Sequence, residues 1–281
     1  MASLIAQLAQ LSAMRSPASR AMVSIASVPS REPSLRNVVG SLLHQAGRIN
    51  VYLNGYAETP EYLDHPKLVV ARSQEYGDVG DAGKFFWLGS DADYYLTCDD
   101  DILYPPDYVA RTIAAIERYG RRAVIGWHGA LLDEPFSDYY ATRTILSFYR
   151  ECKFDTPVHV LGTGATGFHV STLEIAFPDF HAPNMADIWL AAKGQRAGVP
   201  FIVCAHQANE LRPLEQPADD EAIWKACVRG AGSVRDTRAR QNEVVLAHWP
   251  WRVHSTPAVS VMSRWKTRLG FPSKMQQIQR Q

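Results

Sequence analysis

The segment that decides the fold is residues 94–109, which read YYLTCDDDILYPPDYV. Its first five residues are aromatic, β-branched or apolar, and such a run predicts a buried β-strand. Three aspartates, Asp99, Asp100 and Asp101, follow directly. Adjacent carboxylates repel one another unless a cation or hydrogen bonds hold them, and open α/β sheets bind ligands where strands end. The segment therefore predicts a metal site at a strand end.

Alternation of side chains along a strand predicts that Asp99 and Asp101 point to one side and Asp100 to the other. An Asp-x-Asp pair can share a hard cation such as Mg²⁺ or Mn²⁺, whose remaining ligands are usually water and substrate phosphates. The alternative is a surface turn, in which aspartates are common and which the nearby Pro105 and Pro106 would fit.

The surrounding chain alternates short apolar runs with helical patterns, which predicts an α/β fold with a Rossmann-like, mostly parallel sheet flanked by helices. The predicted strands cover residues 22–28, 49–53, 67–71, 94–98, 123–127 and 199–204. The predicted helices cover residues 33–45, 106–118 and 186–197. A further strand from residue 158 leads into a loop over residues 162–167, which read GTGATG.

Composition excludes several classes of protein. Of the 281 residues, 46% are hydrophobic, enough for a large core, and 29 basic side chains balance 29 acidic ones. A net charge of zero disfavours a nucleic-acid partner, and no apolar run reaches the ~18–20 residues that a membrane-spanning helix needs. The four cysteines form no C-x-x-C pair, which indicates a reducing, cytoplasmic location rather than a zinc or disulfide scaffold.

Polar residues follow the earlier strands as well. Residues 28–31, 54–55 and 80–84 should all emerge at the sheet edge that carries the aspartates, because the carboxyl ends of parallel strands share one edge. Asn54 offers a donor and an acceptor, as reading a nucleobase edge requires. Lys84 offers a point charge for a diphosphate. Alone, each has an ordinary alternative as a turn residue or a solvated lysine.

Three segments resemble family 2 glycosyltransferases with the nucleotide-diphospho-sugar transferase (GT-A) fold. They are residues 22–56 (MVSIASVPSREPSLRNVVGSLLHQAGRINVYLNGY), 80–87 (GDAGKFFW) and 94–109. The resemblance places Asp99 and Asp101 where the family has its D-x-D motif. It implies a nucleotide pocket lined by Ser27, Pro29, Arg31, Asn54, Asp81, Lys84, Asp99 and Asp100. Many members carry Asp-x-Asp-Asp, whereas Cys98 precedes the triplet here, so the metal-facing pair is Asp99 with Asp101 or Asp100 with Asp101.

The resemblance also implies roles for residues further along the chain. His206 would complete the metal shell, with a structural histidine as the alternative. Asp187, in NMADIWLAAKG, resembles the family's general base, which takes the proton of the acceptor hydroxyl. Its alternative is a helix cap shared with Asn184.

Residues beside the donor sugar and acceptor form a further set. The small-residue loop lacks a ribose-binding carboxylate about 20 residues on, which disfavours a dinucleotide site. The resemblance instead sets the loop against the donor sugar, and three aromatic rings could stack on sugar faces or belong to the core. The set comprises Trp127, His128, Gly164, Ala165, Thr166 and Trp189.

Together these features imply a metal-dependent, inverting glycosyltransferase that uses a nucleotide-sugar donor, with UDP favoured by family habit, and a saccharide or lipid-linked saccharide acceptor. Without a Gln-x-x-Arg-Trp motif or membrane helices, a single addition fits better than processive synthesis. The alternatives are a sugar-nucleotide nucleotidyltransferase, which shares the sheet type and metal chemistry, and a non-catalytic glycan-binding protein with a degenerate transferase fold.

The resemblance divides the chain into four parts. Residues 1–21 form a leader, which could be a mitochondrial-type presequence, or a surface helix. Residues 22–128 form the nucleotide-binding half and 129–213 the acceptor half of the transferase domain. Residues 214–281 form an extension whose tail either contacts an anionic membrane surface peripherally or packs as a solvated helix. The tail carries Trp251, Trp265, Phe271 and the basic residues Arg252, Arg264, Lys266, Arg268, Lys274 and Arg280.

Overall fold

The computed structural model describes residues 17–215 and 234–255. Residues 1–16 of the predicted leader, residues 256–281 of the predicted basic tail and Cys227 lie outside the described residues. The leader's last residues, Pro17–Arg20, form a 3-10 helix ahead of the first strand.

The described strands and helices follow the predicted order closely. The strands are β1 (Ala21–Ser27), β2 (Arg48–Leu53), β3 (Leu68–Arg72), β4 (Tyr94–Cys98), β5 (Ile102–Leu103), β6 (Val124–Gly126), β7 (Gly129–Leu132), β8 (Arg143–Leu146), β9 (Thr156–Val158), β10 (Val160–Leu161), β11 (Ala165–His169), β12 (Phe201–Val203) and β13 (Arg212–Pro213). The α-helices are α1 (Glu32–Leu42), α2 (Ser73–Tyr76), α3 (Tyr108–Arg118), α4 (Ala186–Ala197) and α5 (Val234–Ala247).

Eight strands form the central sheet in the order β3-β2-β1-β4-β11-β6-β12-β9. Most of them run in one direction, and only β11 and β9 oppose their neighbours within this sheet. All five residues of β4 are buried, as expected of a central strand covered on both faces. The predicted α/β class, with a mostly parallel sheet flanked by helices, is confirmed.

The helices cover the sheet through apolar stripes. In α1, Leu35, Val38, Val39 and Leu42 are buried at helical spacing, which is the pattern that predicted the helix. In α3, Val109, Ile113 and Ile116 play the same part. The core thus lies between these helices and the sheet, and it leaves the carboxyl ends of the parallel strands for polar residues.

One predicted loop is a strand instead. Residues 165–167 of the small-residue segment pair with β4 on one side and β6 on the other, which leaves only residues 162–164 as a loop. A Cβ at Gly167 would lie 2.9 Å from Thr112 Cγ2 and 3.0 Å from Leu96 Cγ. At this position the missing side chain therefore serves close packing of α3 on the sheet.

The C-terminal helix α5 is fastened to residues 138–142 by one carboxylate. Asp138 accepts hydrogen bonds from Arg238 Nε (2.8 Å) and Nη2 (2.9 Å), and from Asn242 Nδ2 (2.8 Å). It also accepts the backbone N–H groups of Tyr140 and Ala141. Burial opposes ionisation, but these donors outweigh it and hold the pKa of Asp138 well below its usual range. Helix and loop therefore form one polar unit.

The residues just after α5 are part of the same core. Trp251, which the tail prediction assigned to a membrane surface or a solvated helix, is only 6% exposed, and its Nε1 donates to the carbonyl of Val245 at 2.8 Å. Both assignments are wrong for this residue, because it is buried in the same hydrophobic core cluster as Leu132, Tyr139 and Val203. Within the described ranges, no helix combines the length and the apolar character needed to cross a membrane.

We expect Asp138→Asn to destabilise the fold by about 2–3 kcal/mol, because it removes charge-assisted hydrogen bonds from a mostly buried network. A carboxylate whose pKa is lower in the folded chain stabilises it fully above the unfolded pKa of about 4, and this gain is lost as pH falls toward the folded pKa. The wild type should therefore lose more stability on acidification than the variant. Urea unfolding at several pH values measures both effects.

Asp93→Asn is the matched control, since Asp93 forms a similar two-point pair with Arg20 but is more exposed. Its loss should cost less than about 1 kcal/mol. Equal effects of the two substitutions would contradict a special role for Asp138.

Candidate active site

The three aspartates stand where β4 ends, and two cations offset their charge. Lys84 Nζ forms an ion pair with Asp99 Oδ1. Arg31 Nη1 lies 3.2 Å from Asp100 Oδ1 and 3.1 Å from Asp101 Oδ2. Arg31 thus bridges Asp100 and Asp101, and the strand itself ends at Cys98. Asp100 is buried whereas Asp99 and Asp101 are partly exposed, and the pair that would face a metal stays a prediction.

A second set of contacts, to Tyr104 and Gly164, fixes the turn that follows β4. The backbone N–H of Asp99 donates to Tyr104 Oη at 2.8 Å and to the carbonyl of Gly164 at 3.2 Å. Tyr104 Oη also donates to the Gly164 carbonyl. A Cβ at Gly164 would collide with the Asp99 carboxylate, so glycine lets β11 approach the aspartates.

The electrostatics of the cluster favour a bound cation. Burial and, after it, the carboxylates of Asp99 and Asp100 raise the pKa of Asp101 to about 7, against the opposing effect of Arg31 and Lys84. Burial also raises the pKa of Asp100. For Lys84, burial favours the neutral form, but Asp99 and Asp81 outweigh it and raise its pKa. The repulsion within the cluster is therefore only partly offset by protein charges.

The donor set suits a cation held by one or two carboxylates, with substrate oxygens completing its shell, as magnesium is commonly bound. The Asp101 side chain, 24% exposed, is accessible for this role. In the described part of the chain, no group of three or more His, Cys, Asp or Glu side chains could form a metal cage. The predicted set of Asp99, Asp101 and His206 is thus not assembled.

His206 lies under the sheet edge instead. Its Nδ1 is 2.7 Å from the carbonyl of Cys204, and its ring centroid is 5.7 Å from that of Trp127. Its Nε2 is buried without a hydrogen-bond partner among the described residues. The backbone of His206 pairs with that of Cys152, which fixes its position.

The predicted nucleotide residues gather at the expected edge, although several are engaged by the protein. Ser27 Oγ lies 3.1 Å from Tyr56 Oη, and Pro29 is exposed at the start of the 3-10 helix Pro29–Arg31. Asn54 Nδ2 donates to the carbonyl of Gly80 at 3.0 Å, and its Oδ1 accepts the N–H of Val79 at 3.2 Å. Asn54 thus positions the loop that carries Lys84, and its contact with a base stays a prediction.

Asp81 connects this loop to the first turn of α4. Its Oδ2 accepts the backbone N–H of Ala186 at 3.0 Å, at the first residue of α4. Burial raises the pKa of Asp81 to about 6 in spite of the opposing effect of Lys84 and of this hydrogen bond. A carboxylate at a helix N-terminus interacts favourably with the helix dipole. Asp81 therefore caps the helix that carries Asp187.

Asp187 is the second residue of α4 and lies within electrostatic reach of Lys84. Its Oδ2 accepts a hydrogen bond from Tyr139 Oη at 2.8 Å, and its Oδ1 accepts its neighbour's N–H, that of Ile188, at 2.9 Å. Burial raises its pKa, against the opposing effects of Tyr139 and Arg143. The alternative of a cap shared with Asn184 is wrong in detail, because the N-cap residue is Met185 and makes no side-chain cap.

The residues predicted to face the donor sugar and acceptor differ in how deeply the structure buries them. Trp127 is fully buried, and its Nε1 donates to Thr112 Oγ1 at 3.1 Å, so it is a core residue and the stacking prediction is wrong. Ala165 and Thr166 are buried within β11. His128 is mostly buried, and burial together with Arg143 lowers its pKa to about 4. Trp189 is half-buried, with its ring 4.8 Å from that of His181.

Two residues of the site were not identified from sequence: Tyr139, which holds Asp187, and Arg143. The Arg143 guanidinium carbon lies 4.4 Å from the ring centre of Tyr139 and 4.6 Å from that of Tyr140. Both come from an aromatic stretch without helical or strand periodicity. The available signal was the sequence YYATR itself, which sets a cation close to two aromatic rings.

We expect Tyr139→Phe to raise the pKa of Asp187 further, because it removes a hydrogen bond that stabilises the ionised carboxylate. Titration of the carboxyl carbon signals by NMR measures this change. Tyr140→Phe is the control, since no described hydrogen bond joins its hydroxyl to Asp187. An unchanged Asp187 titration in Tyr139→Phe would contradict the assigned contact.

Comparison with known proteins finds similarity among solved structures. No protein family model and no curated protein matches the chain. Among solved structures, it is similar to an active-site mutant of LgtC, a glycosyltransferase, with a TM-score of 0.34 and 13% sequence identity over 89% of this chain and 100% of that one. A similarity this low assigns neither family nor activity to the chain.

Proposed function

We propose that this protein is a metal-dependent glycosyltransferase that moves a sugar from a nucleoside-diphosphate donor to a hydroxyl group of a saccharide or lipid-linked saccharide. The observation that carries the proposal is the pairing of two acidic sites. Asp99, Asp100 and Asp101 stand at the end of β4, and the separate carboxylate of Asp187 opens α4, with Lys84 in electrostatic reach of both.

The aspartate cluster has the chemistry of a donor site. Asp99 and Asp101, or Asp100 and Asp101, would hold Mn²⁺ or Mg²⁺, which stabilises the charge of the departing diphosphate when it is bound. Lys84, close to Asp99, would add a fixed positive charge on the same leaving group. Arg31 keeps Asp100 and Asp101 together and so orients the carboxylates. UDP is the nucleotide that family resemblance favours.

Asp187 has the placement of a general base. A base must be ionised when it accepts a proton, and a pKa above the usual carboxylate value makes it a better acceptor. Burial provides the upward shift, while Tyr139 and Arg143 oppose it. An acceptor hydroxyl bound at Asp187 would attack from the side opposite the diphosphate, which gives inversion at the anomeric carbon.

Thermal unfolding with nucleoside diphosphates tests the donor site. We expect UDP with Mn²⁺, at about 100 times its Kd, to raise the melting temperature by about 5–10 °C, and neither to do so alone. Asp101→Asn should abolish the shift, whereas Asp107→Asn, at an exposed carboxylate, should retain it. No shift with any nucleoside diphosphate would reject the proposed donor site.

Product analysis tests the reaction itself. We expect Asp187→Asn to keep the metal-dependent donor shift and to lose transfer by about 10²- to 10⁴-fold, because only the proton acceptor is removed. Asp179→Asn, at a partly exposed carboxylate paired with Lys193, is the control and should transfer normally. Consumption of a nucleoside triphosphate and a sugar phosphate would identify a nucleotidyltransferase instead. Glycan binding without turnover would identify a binding protein.

A further inference from the structure

Arg143 lies in the predicted acceptor half and has no assigned role in the proposed transfer. It opens β8, is half-buried, and its Nε is fully buried without a hydrogen-bond partner among the described residues. Lys84 and Arg31, by contrast, are ion-paired with the aspartates. Across residues 17–215 and 234–255, no carboxylate forms an ion pair with Arg143. An arginine buried in this way normally has a partner of opposite charge.

The guanidinium is held in place before any ligand arrives. It lies against the faces of Tyr139 and Tyr140, at 4.4 and 4.6 Å from the ring centres. Tyr139 is itself fixed, since its hydroxyl donates to Asp187 and its backbone N–H donates to Asn242 Oδ1 at 2.8 Å. A side chain fixed in advance loses little conformational entropy on binding, so its interactions contribute more fully to affinity.

The location of Arg143 is the acceptor side of the site. The hydroxyl of its neighbour Tyr139 donates to Asp187 at 2.8 Å. The positive charge of Arg143 lowers the pKa of both Asp187 and His128. The cations that act on Asp101 are Arg31 and Lys84. Through the ring and the hydroxyl of Tyr139, Arg143 is thus connected to the proposed base by a single residue.

We propose that Arg143 binds an oxyanion, a carboxylate or a phosphate, carried by the acceptor next to Asp187. This inference rests on the proposed function only in naming the ligand an acceptor; the anion site itself stands on the stacked, unpaired guanidinium. The planar fork of arginine matches two oxygens of either anion, which a lysine cannot do. The site thus selects acidic or phosphorylated sugars over neutral ones.

The buried Nε–H gives a signal specific to this residue. In ¹⁵N NMR spectra of the full chain, we expect the Arg143 Nε–H resonance to shift on titration with glucuronate or with glucose 6-phosphate, and not with glucose. A response to one acid only identifies the carboxylate or the phosphate as the source of the anion. An equal response to glucose, or none to either acid, would overturn the inference.

Variants separate recognition from a purely structural role. Arg143→Lys keeps the charge near Asp187 and should weaken binding of the active acid about tenfold or more, the equivalent of one lost charge-assisted hydrogen bond. Binding is measured by calorimetry, with Arg118→Lys, an exposed arginine paired with Asp155, as the control. Unchanged affinity in a folded Arg143→Lys would overturn the inference, and Arg143→Gln provides the same test if the lysine variant does not fold.

The outcomes also separate the two proposals. An Arg143 signal that responds to acid in a protein without a metal-dependent UDP shift would keep the anion site and reject the transferase. Transfer to neutral sugars by a protein whose Arg143 signal does not respond to either acid would keep the transferase and reject the anion site.

Discussion

Three adjacent carboxylates stand at the carboxyl end of β4, and two cations from separate parts of the chain offset their repulsion. Arg31 arrives from the 3-10 helix after β1, and Lys84 from a second 3-10 helix, so the neighbouring loops are drawn to the end of β4. Removing Arg31 would leave the buried charge of Asp100 without its ion-pair partner, which typically costs several kcal/mol. The pKa of Asp101 stays raised, first because of burial and then because of the carboxylates of Asp99 and Asp100. A bound cation, as proposed, would reduce the remaining repulsion.

The antiparallel strand β11 pairs with both β4 and β6 at this point. By running against β4, it sets the carbonyl of Gly164 on the backbone N–H of Asp99, at a position where a Cβ would collide with the Asp99 carboxylate. On the other side, Asp81 accepts the N–H of Ala186 and ties the Lys84 loop to α4. The donor carboxylates and Asp187 are thus fixed relative to one another by short polar contacts, a condition for aligning two substrates.

Much of the fold could be predicted from sequence. The periodicity of apolar residues predicted β4 and α4. The rule that the carboxyl ends of parallel strands share one sheet edge predicted that Arg31 and Lys84 lie near the aspartates. Sequence could not predict features that depend on tertiary packing. Trp127, for example, has the same sequence signal whether it is buried in the core or stacks on a sugar. The aromatic stretch that carries Tyr139 and Arg143 has no period, and its meaning depends on Asp187 and α5, which are distant in sequence. Which two of the three aspartates would face a metal stays a prediction.

The role of α5 follows from the same contacts. Asn242 and Arg238 hold Asp138, and Asn242 also accepts the N–H of Tyr139. Tyr139 in turn donates to Asp187 and supports the Arg143 guanidinium with its ring. An extension that sequence sets apart from the domain therefore supports both acceptor-side groups through one tyrosine. Because hydrogen bonds in such a chain require each partner in place, a shift of α5 would disturb Tyr139 and, through it, both the proposed base and the proposed anion site.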